Sequence, residues 1–234
     1  MNTLQSTKLL VKVCGMREAE NIRALEQLFA LHASSFNFWM GFIFWPKSSR
    51  YVSEPPACLP TTCKRVGVFV DAAIEDICQH ISDYKLDIVQ LHGQETPEFI
   101  QALRGECGDS VSIIKAFNIA TAADLAQTAF YEGVADYFLF DTKGKAVGGN
   151  GEKFDWSVLA DYHGETPFLL SGGIGLDDAE RIESFLTSHS SPLTPNKCMG
   201  IDLNSRFETA PATKDTTALH RFLSQLSHNS HNSH

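Results

Sequence analysis

LLVKVCGMRE, residues 9–18, contains the pattern that decides the fold. A near-continuous apolar run ends in a cysteine and a glycine, and a segment of helix-compatible composition follows. Strands covered on both faces have such runs, because a parallel sheet lies between its own interior and a layer of helices. Similar runs occupy residues 39–44, 65–70, 86–91, 111–117, 136–140, 167–171 and 197–202. The recurrence predicts eight parallel strands.

Segments that suit helices separate these runs, at residues 18–31, 74–84, 97–104, 122–131, 156–162, 177–186 and 214–226. Thr96 and Asp177 are candidate N-caps. The second crossover, residues 53–64, is rich in proline, so we expect a short or irregular helix there. In count and length the pattern predicts the α/β class and a single (β/α)8 TIM barrel, with a doubly wound open sheet as the alternative.

The length of 234 residues suits one catalytic barrel domain, residues 1–226. The polar repeat SHNSHNSH, residues 227–234, predicts a disordered tail. No apolar run is long enough to span a membrane, and the first residues lack the pattern of a secretion signal, so we expect a cytoplasmic protein. The sequence leaves open whether the protein is a monomer or a homodimer.

Charge and cysteine content limit the functions and partners. The chain has 19 Lys and Arg against 28 Asp and Glu, a net charge of −9, which disfavours nucleic-acid binding. The six cysteines have no metal-type spacing, and in a reducing compartment they would remain thiols. We therefore expect neither disulfides nor structural zinc, and an anionic ligand would need local binding groups.

In a barrel of this type, active-site residues follow the carboxyl ends of the strands. SGGIG, residues 171–175, follows the seventh run, where glycine N–H groups and a helix N-terminus suit a phosphate, although a tight turn would read the same way. DLNS, residues 202–205, follows the eighth run, and loops seven and eight of barrels often bind phosphate together.

Candidate acid–base groups lie at two other strand ends. Cys14 is either a small buried hydrophobe or a base or nucleophile. Asp141 is either a proton donor or a structural cap or ion-pair partner. A loop with four glycines, residues 144–151, follows Asp141 and has the composition of a lid.

Three further residues are candidates for substrate binding. Arg50 follows the second run, where its planar fork could bind a carboxylate or phosphate, or simply pair at the surface. Gln90 and His92 are two positions apart in QLHG, so both point to the same face of a strand. A lone histidine is more often a satisfied core or rim residue than a functional one.

Seven blocks of the sequence resemble, in order, those of the phosphoribosylanthranilate isomerases of tryptophan biosynthesis. They are VKVCGMRE, GFIFWPKSSRYV, RVGVFVD, LDIVQLHG, FDTKGKAVGGNGEKFDW, FLLSGGI and GIDLNSRFE. The resemblance covers about residues 8–208 and implies a barrel enzyme that carries out an Amadori rearrangement of a phosphorylated small molecule. It implies no cofactor and no metal, while the absence of a membrane or nucleic-acid partner is expected from the apolar run lengths and the net charge given above.

The resemblance also implies roles for individual residues. Asp141 would be the general acid that opens the furanose ring, and Cys14 the general base that removes the C2′ proton. Arg50 would hold the anthranilate carboxylate, and Asp202 would lie near the bridging nitrogen. Gly172, Gly173, Asn204 and Ser205 would hold the phosphate.

The sequence departs from the family in the eighth block, where DLNSRFE replaces the common DxSSGxE and so places Arg206 at a glycine position. Two other functions are consistent with parts of the sequence. The related aminoaldose isomerase of histidine biosynthesis uses two aspartates, and this chain has Cys14 at the first strand end. A non-catalytic phosphate-binding barrel would need neither Cys14 nor Asp141.

Overall fold

A computed structural model of the chain describes residues 8–108, 110–141, 156–188 and 197–232, with side chains to residue 227. Eight parallel strands form a closed barrel in sequence order, with β1 paired to both β2 and β8. The strands are β1 Leu9–Cys14, β2 Phe36–Ile43, β3 Lys64–Phe69, β4 Ile88–Leu91, β5 Ser112–Asn118, β6 Tyr137–Asp141, β7 Phe168–Ser171 and β8 Cys198–Leu203. The barrel prediction is confirmed, and the pairing of β1 with β8 excludes the open sheet.

Helices and short 3₁₀ segments surround the strands. The α-helices are α1 Ala19–His32, α2 Ile74–Tyr84, α3 Pro97–Cys107, α4 Ala179–Ser188 and α5 Thr216–Asn232. The 3₁₀ segments are Ala122–Phe130, Trp156–Asp161, Leu176–Asp178 and Ser205–Phe207. A small antiparallel hairpin, β9 Glu208–Ala210 and β10 Thr213–Lys214, follows the barrel.

Two apolar layers explain why the strands are apolar on both faces. Inside the barrel, Leu10 packs with residues from the other strands, including Trp39 and Leu169. The larger cluster, which contains Val11 and Val13, lies between the strands and the helices. Side chains alternate along β1, so Leu10, Lys12 and Cys14 face the barrel interior.

The second crossover contains no helix: residues 44–63, all described, form turns, bends and irregular chain, apart from an isolated bridge between Tyr51 and Ile43. The expectation of a short or irregular helix is therefore wrong. Pro55, Pro56 and Pro60 lack the N–H groups that a helix needs, and they disfavour helical geometry in the residues before them.

The two predicted N-caps have different outcomes. Thr96 caps α3 as predicted, because its side chain accepts a hydrogen bond from the N–H of Phe99 at 3.3 Å. Asp177 lies within a 3₁₀ turn, and the neighbouring Asp178 carboxylate accepts from the N–H of Gly175 at 2.9 Å instead.

The last helix includes residues 227–232 of the segment that we expected to be disordered. The Ser227 hydroxyl donates to the carbonyls of Leu223 and Ser224. Once the packed part of α5 has formed, each added residue contributes a further backbone hydrogen bond, so a polar sequence can continue the helix.

Cys78 and Cys107 form a disulfide between α2 and α3, with Cα atoms 5.8 Å apart. The expectation that all six cysteines are thiols is therefore wrong for this pair. Their separation of 29 residues resembles no sequence motif, and only the packing of adjacent helices brings the sulfur atoms together. Cys14, Cys58, Cys63 and Cys198 are thiols outside this disulfide.

No helix in the described part of the chain is long and apolar enough to cross a membrane.

Candidate active site

The carboxyl ends of the strands bring predicted site residues to one rim of the barrel. Cys14 ends β1 and Asp141 ends β6. Register pairs Asp141 with Ser171 on β7, and pairs Lys12 on β1 with Asp202 on β8. Parallel strands share one direction, so these side chains surround a common mouth.

Cys14 is buried, and it owes its space to a glycine on the next strand. Register places Gly41 of β2 opposite Cys14. A Cβ atom added to Gly41 would lie 2.8 Å from the Cys14 sulfur. Gly41 therefore creates the room that the thiol occupies.

A buried ion pair lies directly below Cys14. Lys12 is 0% exposed and donates from Nζ to Asp202 Oδ1 at 2.8 Å. Its side chain and that of Cys14 face the same side of β1, two positions apart, so its positive charge acts on the thiol. The other Asp202 oxygen accepts from the Ser171 hydroxyl at 3.3 Å, so Asp202 joins three strands of the rim.

Burial raises the pKa of the Cys14 thiol above its ordinary value. The positive charges of Lys12 and Lys214 act in the opposite direction, whereas the Asp202 carboxylate adds to the increase. For Lys12, burial opposes the charged form, yet Asp202 and Cys14 together raise its pKa. Lys12 is thus a charged ammonium beside a thiol whose ionisation depends on its surroundings.

A second charged cluster is centred on Glu208, at the start of β9. Arg50 donates from Nε to both Glu208 oxygens at 2.9 and 3.0 Å, and from Nη2 to Oε2 at 2.5 Å. Lys214, whose side chain is 0% exposed, donates to Glu208 Oε1 at 2.6 Å and to Asn204 Oδ1 at 2.8 Å. Arg50, a predicted carboxylate ligand, is therefore already held by a carboxylate of the protein.

The pKa values in this cluster follow from its geometry. Burial opposes ionisation of Glu208, but the hydrogen bonds from Arg50 and Lys214 outweigh it and lower the carboxyl pKa. Burial lowers the pKa of Lys214 despite the attraction of Glu208. The hydrogen bonds that Arg50 donates to Glu208 raise the pKa of Arg50.

Gln90 and His92 form a polar chain that reaches Asp141. The Gln90 Nε2 atom and His92 Nδ1 are 3.0 Å apart, and His92 Nε2 lies 3.7 Å from Asp141 Oδ2. When the Gln90 amide donates, Nδ1 accepts, and Nε2 carries the hydrogen that faces Asp141. The buried Gln90 Oε1 has no hydrogen-bond partner within the described residues.

The predicted phosphate loops lie next to each other. Gly172 and Gly173 have φ of 104° and 68°, in the region that glycine alone adopts without strain. Arg206 follows β8, and its Cβ and Nε would be 3.7 Å from a Cβ added to Gly175. Ser205 is exposed at the start of the 3₁₀ turn, whereas the Asn204 side chain contacts Lys214.

Sequence reasoning missed Lys12, Gly41, Glu208 and Lys214. One signal was available: Lys12 is a lysine within an otherwise apolar strand, and such a lysine must find a partner. The glycine-rich loop predicted as a lid lies outside the described residues. Within the described ranges, no group of three or more His, Cys, Asp or Glu side chains could hold a metal ion.

The fold and the site define a single-barrel enzyme whose rim carries a thiol, a carboxyl group and several buried cations. Residues 11–225 match the family model described as N-(5′-phosphoribosyl)anthranilate (PRA) isomerase. The N-(5′-phosphoribosyl)anthranilate isomerase of Phocaeicola vulgatus is 47% identical over 218 residues, which cover 93% of this chain and 98% of that protein. The isomerase of the same name from Parabacteroides distasonis is 46% identical, with 94% of each chain covered.

A solved structure adds a ligand complex to the comparison. A phosphoribosyl anthranilate isomerase bound to reduced 1-(o-carboxyphenylamino)-1-deoxyribulose 5-phosphate aligns with a TM-score of 0.69 and 27% identity. The alignment covers 94% of this chain and 99% of that structure. The chain belongs to the N-(5′-phosphoribosyl)anthranilate isomerase family, which confirms the resemblance seen in the sequence.

Proposed function

We propose that this protein converts N-(5-phosphoribosyl)anthranilate to 1-(2-carboxyphenylamino)-1-deoxyribulose 5-phosphate, an isomerisation in tryptophan biosynthesis. Asp141 is the general acid and Cys14 the general base. The observation that supports this reading is the placement of both groups at the carboxyl ends of strands of one barrel, β6 and β1. The family membership supplies the reaction, and the rim supplies groups suited to it.

The two proton transfers occur in a definite order. Asp141 protonates the ring oxygen, the C1′–O bond breaks, and the anilino nitrogen lone pair forms a cationic Schiff base. Cys14 then removes the C2′ proton, and the electron pair forms the enolamine, which tautomerises to the ketone. Burial raises the pKa of Cys14, which favours the neutral thiol before substrate binds. The positive charge of the Schiff base then favours the thiolate at the step in which Cys14 removes the C2′ proton.

The substrate has two anionic ends that suit two parts of the rim. Arg50 donates from Nε and Nη2 to Glu208. Its Nη1 donates to no side chain among the described residues, so it can donate to the anthranilate carboxylate. Gly172, Gly173, Asn204 and Ser205 provide backbone N–H groups for the phosphate. Asp202 lies near the bridging nitrogen, and Gln90 and His92 line the Asp141 side.

We further infer that residues 1–226 act as one catalytic domain in the cytoplasm. The product analogue bound to the solved relative is a phosphorylated small molecule, which supports a substrate of that kind. A structure titled for monomers of a dimeric phosphoribosylanthranilate isomerase, 25% identical with a TM-score of 0.66, makes both monomer and homodimer reasonable states for this chain. Sedimentation of the purified protein distinguishes the two states.

Turnover of N-(5-phosphoribosyl)anthranilate, followed by loss of its fluorescence, tests the proposal. We expect chelator-insensitive activity in wild type and its loss in Cys14→Ala and Asp141→Asn, with folding intact. Cys198→Ala is a matched control, because Cys198 is also a buried barrel thiol, one whose burial raises its pKa to about 12. Full activity in Cys14→Ala would exclude the mechanism, and binding without turnover in wild type would favour the non-catalytic barrel.

A further inference from the structure

Lys12 has no role in the acid–base scheme, although it lies beside the proposed base. It precedes Cys14 by two positions on β1, so both side chains face the barrel interior. A fully buried lysine is expensive to desolvate, and it is retained only where nearby groups compensate its charge. Asp202 provides one such group.

The positive charges around Cys14 outnumber the negative charges among the described residues. The cations are Lys12 on β1, Lys214 on β10 and Arg50 after β2. The carboxylates are Asp202 on β8 and Glu208 on β9, and the β2 residue opposite Cys14 is the uncharged Gly41. Three cations against two carboxylates leave one excess positive charge among the described groups, which a thiolate at Cys14 would neutralise.

We propose that Lys12 is the positioning residue that sets the ionisation of Cys14. Its ammonium is fixed by Asp202 and lies on the same face of β1 as the sulfur, so its positive charge favours the thiolate over the thiol. This inference rests on the proposed function only in taking Cys14 as the general base of the reaction. The ionisation itself is a property of the free protein.

Lys12 and Asp202, the two members of the ion pair, have opposite effects on the pKa of the Cys14 thiol. Lys12 is the largest influence that lowers the thiol pKa, and Asp202 raises it. Removal of Lys12 should therefore raise the pH at which the thiol ionises, and removal of Asp202 should lower it. A purely structural role for the ion pair would give no such opposition of sign.

The test is the pH dependence of Cys14 alkylation by iodoacetamide, measured on the Cys14 peptide by mass spectrometry without substrate. We expect the midpoint to rise by about one to three pH units in Lys12→Met, the range for loss of a close opposite charge. We expect it to fall in Asp202→Asn and to stay near wild type in Lys12→Arg. Lys115→Met is the matched control, because Lys115 is another buried strand lysine paired to a carboxylate, Glu95, but it does not contact Cys14.

Midpoints that rise in Lys12→Met and fall in Asp202→Asn, with Lys115→Met unchanged, support the proposal. Midpoints that do not move, or that move in the same direction in both variants, overturn it. If Lys12→Met fails to fold, an Asp202→Asn midpoint at or above wild type is enough to overturn it. Full turnover in Cys14→Ala would instead remove the proposed mechanism, so the two failures are distinguishable.

Discussion

Gly41 shows how a single missing side chain shapes the site. A Cβ at this position would approach the Cys14 sulfur to 2.8 Å, closer than nonbonded atoms come without movement. The contact is on a barrel strand, where the backbone is hydrogen-bonded to both neighbours and cannot yield easily. The thiol would therefore have to move away from its position above Lys12.

We accordingly expect Gly41→Ala to reduce kcat by about 100-fold, the effect of displacing a reacting group by roughly 1 Å. Steady-state turnover measures the loss. Gly105→Ala is the control, because a Cβ at this exposed α3 position meets nothing within 4 Å. A Gly41→Ala enzyme as active as Gly105→Ala would show that the sulfur position is not critical.

At the scale of a single element, α2 ends with a residue in an unfavourable backbone conformation. Lys85 caps the helix with φ 50° and ψ 51°, the left-handed region, and its N–H bonds to the Ile81 carbonyl. Glycine adopts this conformation without the contact between Cβ and backbone that penalises other residues. The exposed side chain of Lys85 contributes no ion pair among the described residues that would offset this cost.

We expect Lys85→Gly to increase the free energy of unfolding by roughly 0.5–1 kcal/mol, less than the full left-handed penalty because glycine also gains freedom in the unfolded chain. Chemical denaturation of both proteins measures the difference. Lys85→Ala removes the same charge but keeps the Cβ, so it should show no such gain. Equal stabilisation by glycine and alanine would point to charge rather than backbone conformation.

The pair of elements α2 and α3 is joined by the Cys78–Cys107 disulfide. Closing a loop across this separation of 29 residues restricts the unfolded chain and stabilises a folded protein by about 3.6 kcal/mol. We expect unreduced protein, denatured to expose the buried Cys14 and Cys198, to titrate four thiols, and reduced, denatured protein to titrate six. We also expect reductant to lower the free energy of unfolding of wild type.

The matched control for the disulfide is the double variant Cys78→Ala, Cys107→Ala, which should be less stable than oxidised wild type and insensitive to reductant. A wild type that titrates six thiols before reduction would contradict the pairing. Turnover should change little in the variant, because the bridge connects helices outside the barrel rather than rim residues.

On the scale of the whole molecule, the sequence could predict what depends on local composition. Runs such as residues 65–70 identify strands because both faces are apolar, and the Thr96–Pro97 pair marks the start of α3. The residues at strand ends, Cys14 and Asp141 among them, could be predicted because parallel strands place their carboxyl ends together. Their catalytic roles stay predictions.

Features that depend on distant parts of the chain could not be predicted in this way. Arg50 pairs with Glu208 across 158 positions, and Lys12 pairs with Asp202 across 190. Nothing near Arg50 in sequence indicates that its fork is already occupied by a carboxylate. Likewise, only the packing of α2 on α3 reveals the disulfide.

Closure of the molecule also brings its first and last helices together. α1 packs against α5, and His32 Nε2 lies 2.9 Å from His220 Nδ1. Burial lowers the pKa of His32, and the neighbouring His220 lowers it further. The ring is thus easier to protonate in the unfolded chain than in the folded barrel.

The sign of the pH dependence follows from this difference. Above the unfolded pKa of about 6.5, His32 is neutral in both states and does not affect the pH dependence. As the pH falls below that value, the unfolded chain takes up the proton first, so the free energy of unfolding decreases until the folded pKa is passed.

We expect denaturation at a series of pH values to show this decrease in wild type and a smaller one in His32→Gln. His220→Gln should give an intermediate slope, because burial, the larger cause, persists without the second ring. Identical slopes in wild type and His32→Gln would contradict a role for this contact in the acid sensitivity of the barrel.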